Sequence, residues 1–313
     1  MRAGRLMDGF LTTQLLYVAA KLGIADVLAG GPRTGAEVAA AVGADPDLLT
    51  RVLRGLALEE VLAEVGGGRF ALTELGERLR SDVPGSIKGP MVVRGELYYR
   101  AAAGMLAAVR HGGTAFEQVY GDRFFEYLGR HPEQEAVFQG SMTGRSEQEA
   151  GDVVAGYDFG GLGRLVDVGG GYGILLGTIL RADRCRLVAG DFFASVPAGA
   201  DAYLLSRVLH DWADDDARRL LATCRSAMPP GSRLLVVEAL LPERARDQPA
   251  VIRMDLHMLV LLGARERTEA QYRRLLAETG FQVERVVPTG SPAGLSVIEA
   301  TPAMVSDIAI PNP

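Results

Sequence analysis

Apolar side chains recur at near-helical spacing from the start of the chain, at Leu6, Phe10, Leu15, Leu16, Ala19, Ala20 and Leu22. Residues three and four apart share a helix face, so this pattern predicts a helix with one buried stripe. Gly30, Gly31 and Pro32 close that region. Thr34 and Glu37 have capping-box spacing and open a short helix to Val42. Asp45, Pro46 and Asp47 cap a third helix, whose apolar positions are Leu48, Leu49, Val52, Leu53 and Leu56. Val61–Glu64 and Arg69–Leu72 flank three glycines and predict a hairpin. From about Pro84 to Gly151 the pattern is helical throughout. It gathers aromatic rings at Phe116, Tyr120, Phe124, Phe125, Tyr127 and Phe138.

Three helices and a hairpin make the outline of a winged helix. Beyond Tyr157 the rhythm changes to strand, helix, strand. Strands are expected at Arg164–Val168, Cys185–Ala189, Ala202–Leu205 and Ser232–Ala239, with helices at Ile174–Leu180, Asp214–Met228 and Thr268–Thr279. Two last strands, Phe281–Pro288 and Leu295–Ala300, end the pattern. Alternating strands and helices imply a parallel, doubly wound α/β sheet, here closed by an antiparallel pair.

Composition narrows the class. The chain has 313 residues, 48% apolar and 23% charged, which is enough for more than one domain around ordinary cores. The two cysteines, Cys185 and Cys224, lack metal-site spacing and are expected reduced and packed. A net charge of −6 argues against nucleic acid as partner. No apolar run reaches the roughly 18 residues of a membrane span. No signal peptide is read at the N-terminus, so the expectation is a cytoplasmic protein with no membrane partner.

The chemistry gathers at Leu165–Gly173 (LVDVGGGYG). Ligands of open α/β sheets sit at the carboxyl ends of the strands. Asp167 ends the first strand, and Gly169, Gly170, Gly171 and Gly173 let the backbone turn tightly and approach a ligand. The spacing is not G-x-G-x-x-G, so a dinucleotide pyrophosphate fits poorly. The carboxylate and amino group of a methionine suit this smaller turn better. His210 follows the Leu204–Leu205 strand at the same edge, and a histidine there can accept a proton near neutral pH. Glu238 ends the next strand, and Glu266 precedes the next helix. Both can steer the imidazole or a substrate, or instead form ion pairs with Arg265 or Arg267.

In order, Leu165–Gly173, Gly190–Phe193, Val208–Trp212, Leu235–Glu238 and Arg265–Thr268 resemble the small-molecule O-methyltransferases related to caffeic acid and hydroxyindole methyltransferases, including natural-product tailoring enzymes of actinobacteria. The resemblance runs from the winged-helix start to about Thr301. It implies a Rossmann-like methyltransferase sheet (residues 151–313), an N-terminal winged-helix dimerisation domain (1–90) and a helical segment contributing to the substrate pocket (91–150). It also implies S-adenosylmethionine as cofactor, S-adenosylhomocysteine as product, no metal, and a homodimer. His210 is then the general base, flanked by Glu238 and Glu266. Asp167, Gly169, Gly170 and Gly171 frame the methionine end. Asp191, Phe192 and Trp212 serve the adenine side, with Ser206 and Arg207 as nearby cofactor contacts. Phe125, Met142, Asp255, His257 and Met258 are the expected acceptor wall.

One departure stands out. The family places a second strand, with an acid for the ribose, and a further helix before Gly190–Phe193. Here Leu180 is followed almost at once by Ala182–Arg186, so roughly 30 residues, one βα unit, are missing near 181–184. Asp191 is the alternative ribose acid by its distance from the glycines. If the unit is lost, cofactor binding is expected to be weak. Two other functions compete with methyl transfer. One is a non-methylating use of the cofactor, for hydroxylation, decarboxylation or cyclisation. The other is a DNA-binding regulator, whose third helix offers Arg51 and Arg54 but also leads into Glu59 and Glu60.

Overall fold

The structure, a computed structural model, describes residues 6–180 and 188–303, with the backbone alone for 143–145. The chain divides into two compact units. One holds the residues up to Leu106 together with Phe116–Arg145, and the other holds Ala107–Ala115 and everything from Ser146 onward. The helical segment expected as a separate piece at 91–150 is thus shared between the two units.

In the first unit, helix α1 (Gly9–Leu22) stops at Gly23, whose φ of 68° starts a new short helix, Ile24–Leu28. The expectation was a helical region closed by Gly30, Gly31 and Pro32. The left-handed Gly23 turns the chain between the two helices. Helix α2 (Gly35–Val42) opens with the expected capping box: Thr34 Oγ1 accepts from the Glu37 amide, and Glu37 Oε2 accepts from the Thr34 amide at 2.7 Å. Helix α3 (Pro46–Leu58) starts where Asp45 Oδ1 accepts from the Leu48 amide at 2.9 Å. Its inner face buries Leu49, Leu53 and Leu56 against Ala19, Ile24, Val38 and Phe70. Strand β1 (Arg33–Thr34) lies beside β3 (Arg69–Leu72), which pairs with β2 (Leu62–Glu64) as the expected hairpin. Arg54 faces Glu64 at 3.7 Å, so part of the basic face of α3 is already neutralised.

Between 84 and 131 the expected helical stretch is broken into short pieces, including a π-helical turn at Arg94–Tyr98. Helix α4 (Pro132–Gly156) follows. The aromatic residues of this stretch pack on one another: Phe116 meets Tyr120, Phe124 and Tyr127 within 5.4 Å, centroid to centroid.

The second unit is built on a five-stranded sheet of order β4-β5-β6-β8-β7. Strands β4 (Leu165–Asp167), β5 (Ala202–Ser206) and β6 (Arg233–Ala239) are parallel. The last two, β7 (Phe281–Pro288) and β8 (Leu295–Pro302), add the antiparallel pair. Side chains alternate across the sheet. Tyr203, Leu205, Leu234 and Val236 enter one core with Leu220, Leu221 and Tyr272, whereas Leu204, Leu235, Val237 and Val297 enter the other with Val153 and Tyr157. β5 is therefore buried on both faces, which is why it reads as an unbroken apolar run. Helices α5 (Ile174–Leu180), α6 (Asp214–Ala227), α7 (Pro249–Leu261) and α8 (Glu269–Glu278) connect the strands. Most of the strand expected at Cys185–Ala189, with Cys185 itself and the gap placed at 181–184, lies outside the described residues. Residues 188–190 form no strand, so among the described residues β4 is the edge of the sheet. Cys224 is buried, and burial pushes its thiol up to about 12. Among the described residues no helix is long and apolar enough to cross a membrane.

Candidate active site

The chain leaves β5 through Arg207, whose φ of 56° lies in the left-handed region. For a residue with a Cβ this costs about 1–2 kcal/mol, so neighbouring contacts must hold it. The following 3-10 turn, Leu209–Asp211, carries His210, which is 5% exposed.

Glu238 holds this turn from beneath. It sits near the end of β6 and is fully buried. Its Oε1 accepts the amides of Val208 (3.1 Å), Leu209 (2.9 Å) and His210 (3.3 Å). A carboxylate is acceptor-only when ionised, and three converging amides suit it. A parallel bridge between Leu240 and Arg267 lays the segment before α8 alongside the end of β6. That brings Glu266 beside Glu238. The Glu266 amide donates to Asp255 Oδ1 of α7 at 2.9 Å, which fixes its backbone.

His210 Nδ1 lies 2.9 Å from Glu266 Oε1. The Glu266 carboxyl is held below its ordinary range: burial opposes this, but the hydrogen bond and charge of His210, together with Arg207, outweigh it. An ionised carboxylate can only accept, so Nδ1 carries a proton, and in the neutral imidazole Nε2 is the nitrogen with the lone pair. Asp211 Oδ1 stands 3.3 Å from Nε2. Burial and Arg207 pull the imidazole's basicity down, but Asp211, Glu238 and Glu266 together hold it above the ordinary histidine value. Glu238 is pushed up to about 7, mainly by burial and further by Glu266 and Asp211.

The glycine turn follows β4 at the same strand ends. Gly169, Gly171 and Gly173 all have positive φ (74°, 54° and 72°). A Cβ on Gly170 would stand 2.2 Å from Asp167 Oδ2. Asp167 Oδ1 is buried with no hydrogen-bond partner, and burial raises the carboxyl to about 6. An orphaned acid beside a cradle that only glycine can line fits an incoming ammonium group. Phe192 packs toward this turn, its Cε1 3.7 Å from where a Gly169 Cβ would be. Its ring lies 6.0 Å from that of Trp212, and Phe193 lies 4.7 Å from Trp212. Asp191 is exposed, and its Oδ1 accepts the Phe193 amide at 2.9 Å. Ser206 ends β5, opposite Val237 of β6.

The structure brings His210, Glu238 and Glu266 together, with donor atoms within 4.8 Å of one another. Arg207, expected near the cofactor, turns its guanidinium onto the acids, 3.3 Å from Glu266 and 3.8 Å from Glu238. Asp255, expected at the acceptor, holds the Glu266 amide. Met258 is buried and His257 half-buried on the same helix. Phe125, exposed beside Phe124, and the half-buried Met142 belong to the first unit.

Arg267 was not singled out as a site residue. Its guanidinium is 2% exposed and donates to the carbonyls of Leu209 and Trp212 at 2.8 Å each, and to Asp214 Oδ1 at 2.7 and 3.0 Å. It straps down both ends of the His210 turn. The ion pairs considered between Arg265 or Arg267 and the two glutamates are not the ones formed: Arg267 pairs with Asp214, and Arg207 faces the glutamates.

Known proteins similar to this chain point to one enzyme family. A profile of the O-methyltransferase dimerisation domain matches residues 5–82, and one of the O-methyltransferase domain matches residues 103–182 and 180–282. The phenazine O-methyltransferase of Lysobacter antibioticus is 43% identical over 327 aligned positions, 95% of each chain. That alignment is longer than this chain, and the domain match breaks at 180–182. The 8-amino-8-demethylriboflavin N,N-dimethyltransferase of Streptomyces davaonensis is 36% identical over 88% of each chain. An O-methyltransferase from neocarzinostatin biosynthesis, solved with S-adenosylmethionine and 2-hydroxy-5-methyl naphthoic acid, superposes with a TM-score of 0.79 at 34% identity, covering 93% of this chain and 96% of that one.

Proposed function

The chain belongs to the S-adenosylmethionine-dependent O-methyltransferases, and on that premise we propose that it methylates a phenolic or enolic hydroxyl of a small aromatic or polyketide-like natural product, with His210 as general base. The observation that carries this reading is the 2.9 Å contact between His210 Nδ1 and Glu266, which holds a proton on Nδ1 and makes Nε2 the basic nitrogen of the neutral ring. When bound, S-adenosylmethionine supplies an electrophilic methyl group on a sulfonium, and S-adenosylhomocysteine is left.

A phenol has a pKa near ~10, and its phenolate is far the better nucleophile. His210 Nε2 takes the hydroxyl proton as the oxygen attacks, and Glu266 stabilises the resulting imidazolium. Glu238 keeps the turn in place through its three amides. Asp167 and the Gly169–Gly171 backbone hold the amino-acid end of the cofactor, while Asp191, Phe192 and Trp212 attend the adenosine. Asp255, His257 and Met258 approach the acceptor from α7. In-line attack at close range supplies most of the rate, and the base adds to it.

Incubation with S-adenosylmethionine and hydroxylated aromatic acceptors tests this, with mass spectrometry reading the gain of one methyl group. His210→Ala should lower kcat by about 10²–10⁴ for a phenol. An unchanged kcat removes the base from the mechanism. The dimethyltransferase relative, which its name assigns to an amine, supports a second reading in which an amino group is the acceptor. A neutral amine needs no base to attack, so His210→Ala would then cost little.

A homodimer is proposed through the N-terminal unit. Leu6, Met7, Phe10 and Leu11 at the start of the described chain are each half or more exposed in the single chain, a concentration of apolar surface that a second copy would cover. Light scattering that finds only monomer refutes it.

A further inference from the structure

We propose that Arg207 is a positioning residue, whose guanidinium sits among Glu149, Glu238 and Glu266, keeps Glu266 charged and aimed, and offsets part of the cost of burying Glu238, so that His210 keeps its Nδ1 proton and donates it to Glu266. The assignment deepens the methyl-transfer reading and rests on it for its kinetic consequence only.

Geometry carries the case. Arg207 keeps a left-handed φ of 56° in a position that glycine would fill without strain. Its amide donates to the Val237 carbonyl at 3.0 Å, so the backbone is held between the strands while the side chain turns inward. Nη1 lies 3.3 Å from Glu266 Oε1 and 3.8 Å from Glu238 Oε2, and Nε lies 3.9 Å from Glu149 Oε2 on α4. The guanidinium is 15% exposed, Glu149 is 13% exposed, and both site glutamates are fully buried.

Two carboxylates this close in a dry site do not both stay ionised without a cation. Glu238 Oε2 and Glu266 Oε2 have no hydrogen-bond partner, so charge rather than further hydrogen bonding must compensate them. Arg267 faces the other way, toward Leu209, Trp212 and Asp214. Arg207 is the cation aimed at them. A guanidinium suits the task because it stays charged when buried and presents several donors in a plane. The other ionisable groups around the cluster are Asp211 in the same turn, Tyr272 on α8, and Asp255 of α7 behind the Glu266 amide. None of these adds a positive charge; His210 lowers both carboxyls as well, and Arg207 is the permanent cation beside it.

The test compares the full-length wild type with Arg207→Met, Arg207→Lys and Arg207→Met/Glu238→Gln by urea unfolding from pH 6 to pH 9. Without the cation, the folded glutamate cluster retains a proton that the unfolded chain releases. Stability of Arg207→Met should therefore fall as pH rises, with an extra change in the unfolding constant approaching tenfold per pH unit. Arg207→Lys should run parallel to wild type because it keeps the charge, and the double variant should be no steeper than wild type because it removes the acid that holds the proton. An Arg207→Met slope parallel to wild type overturns the assignment. If Arg207→Met does not fold, the double variant should. A double variant that stays unfolded, or that keeps the extra slope, also overturns it.

In methyl transfer, the acid limb of kcat should move up by a pH unit or more in Arg207→Met, while KM for S-adenosylmethionine holds. A wild type that methylates no acceptor defeats the methyl-transfer reading and leaves the unfolding result to judge Arg207.

Discussion

Replacing Arg267 by methionine should loosen the His210 turn and destabilise the second unit together. The guanidinium makes four contacts of 2.7–3.0 Å to three acceptors, and two of those acceptors are main-chain carbonyls at either end of the turn. Methionine matches much of the aliphatic volume but donates nothing. The Leu209 and Trp212 carbonyls then lose their donors, at about 1–3 kcal/mol each when buried. Asp214 loses its ion pair but is one-third exposed, so water compensates it and its share is small. The sum is about 3–5 kcal/mol, the range for removing one partner from a buried ionic contact. At about 2–4 °C per kcal/mol, the melting transition of the unit should fall by about 10 °C. Differential scanning calorimetry resolves the transition, because the two units need not melt together. Turnover at a temperature where the variant is folded should fall as well, since the turn carries the proposed base. A loss under about 1 kcal/mol with turnover intact would show that the strap is dispensable and that Glu238 alone holds the turn.

Three further outcomes are expected. Gly170→Ala places a Cβ 2.2 Å from Asp167 Oδ2, so it should displace that carboxylate and weaken S-adenosylmethionine binding tenfold or more by calorimetry; unchanged affinity would detach the turn from the cofactor. Asp167 has a folded pKa of about 6, above its unfolded value, so its contribution to stability is present at low pH and lost as pH rises through 6. Asp167→Asn should therefore gain on wild type between pH 4 and 7 in urea titrations, and parallel curves would contradict the burial argument. The wild-type chain should bind S-adenosylmethionine more weakly than the micromolar range, because the described sheet ends at β4 with no further strand for the ribose; micromolar or tighter binding would show that Asp191 or another group supplies the grip.

Local features were the most legible. The capping box at Thr34, the Asp45 cap, the hairpin around Gly66–Gly68 and the Gly169–Gly173 turn depend on residues close in sequence, and side-chain spacing reports them directly. The parallel strands were legible because burial on both faces makes them unbroken apolar runs, as in Ala202–Leu205. His210, Glu238 and Glu266 were marked as strand-end residues, yet their contacts join positions 28 and 56 residues apart and became readable only through resemblance. Arg207 and Arg267 show where spacing runs out. Both are arginines near acids, and nothing local decides which faces the glutamates and which straps the turn. The left-handed φ of Arg207 points its side chain inward, and only a glycine would have signalled that conformation in advance. The break at Gly23 was missed because apolar periodicity continues through Leu22 into Ile24, while the bend is a backbone event.

The two edges of the sheet differ in how they meet their surroundings. β7 shows Gln282, Glu284, Arg285 and Pro288 to solvent, a row of charge and a missing amide that discourages a foreign strand from docking. β4 has only Leu165, Val166 and Asp167, and one side of its hydrogen-bonding backbone is unmatched among the described residues. Its brevity is its main guard, since two or three bonds cannot anchor a stranger for long. The sheet thus protects its two ends by different means, charge and a proline along β7 and shortness at β4.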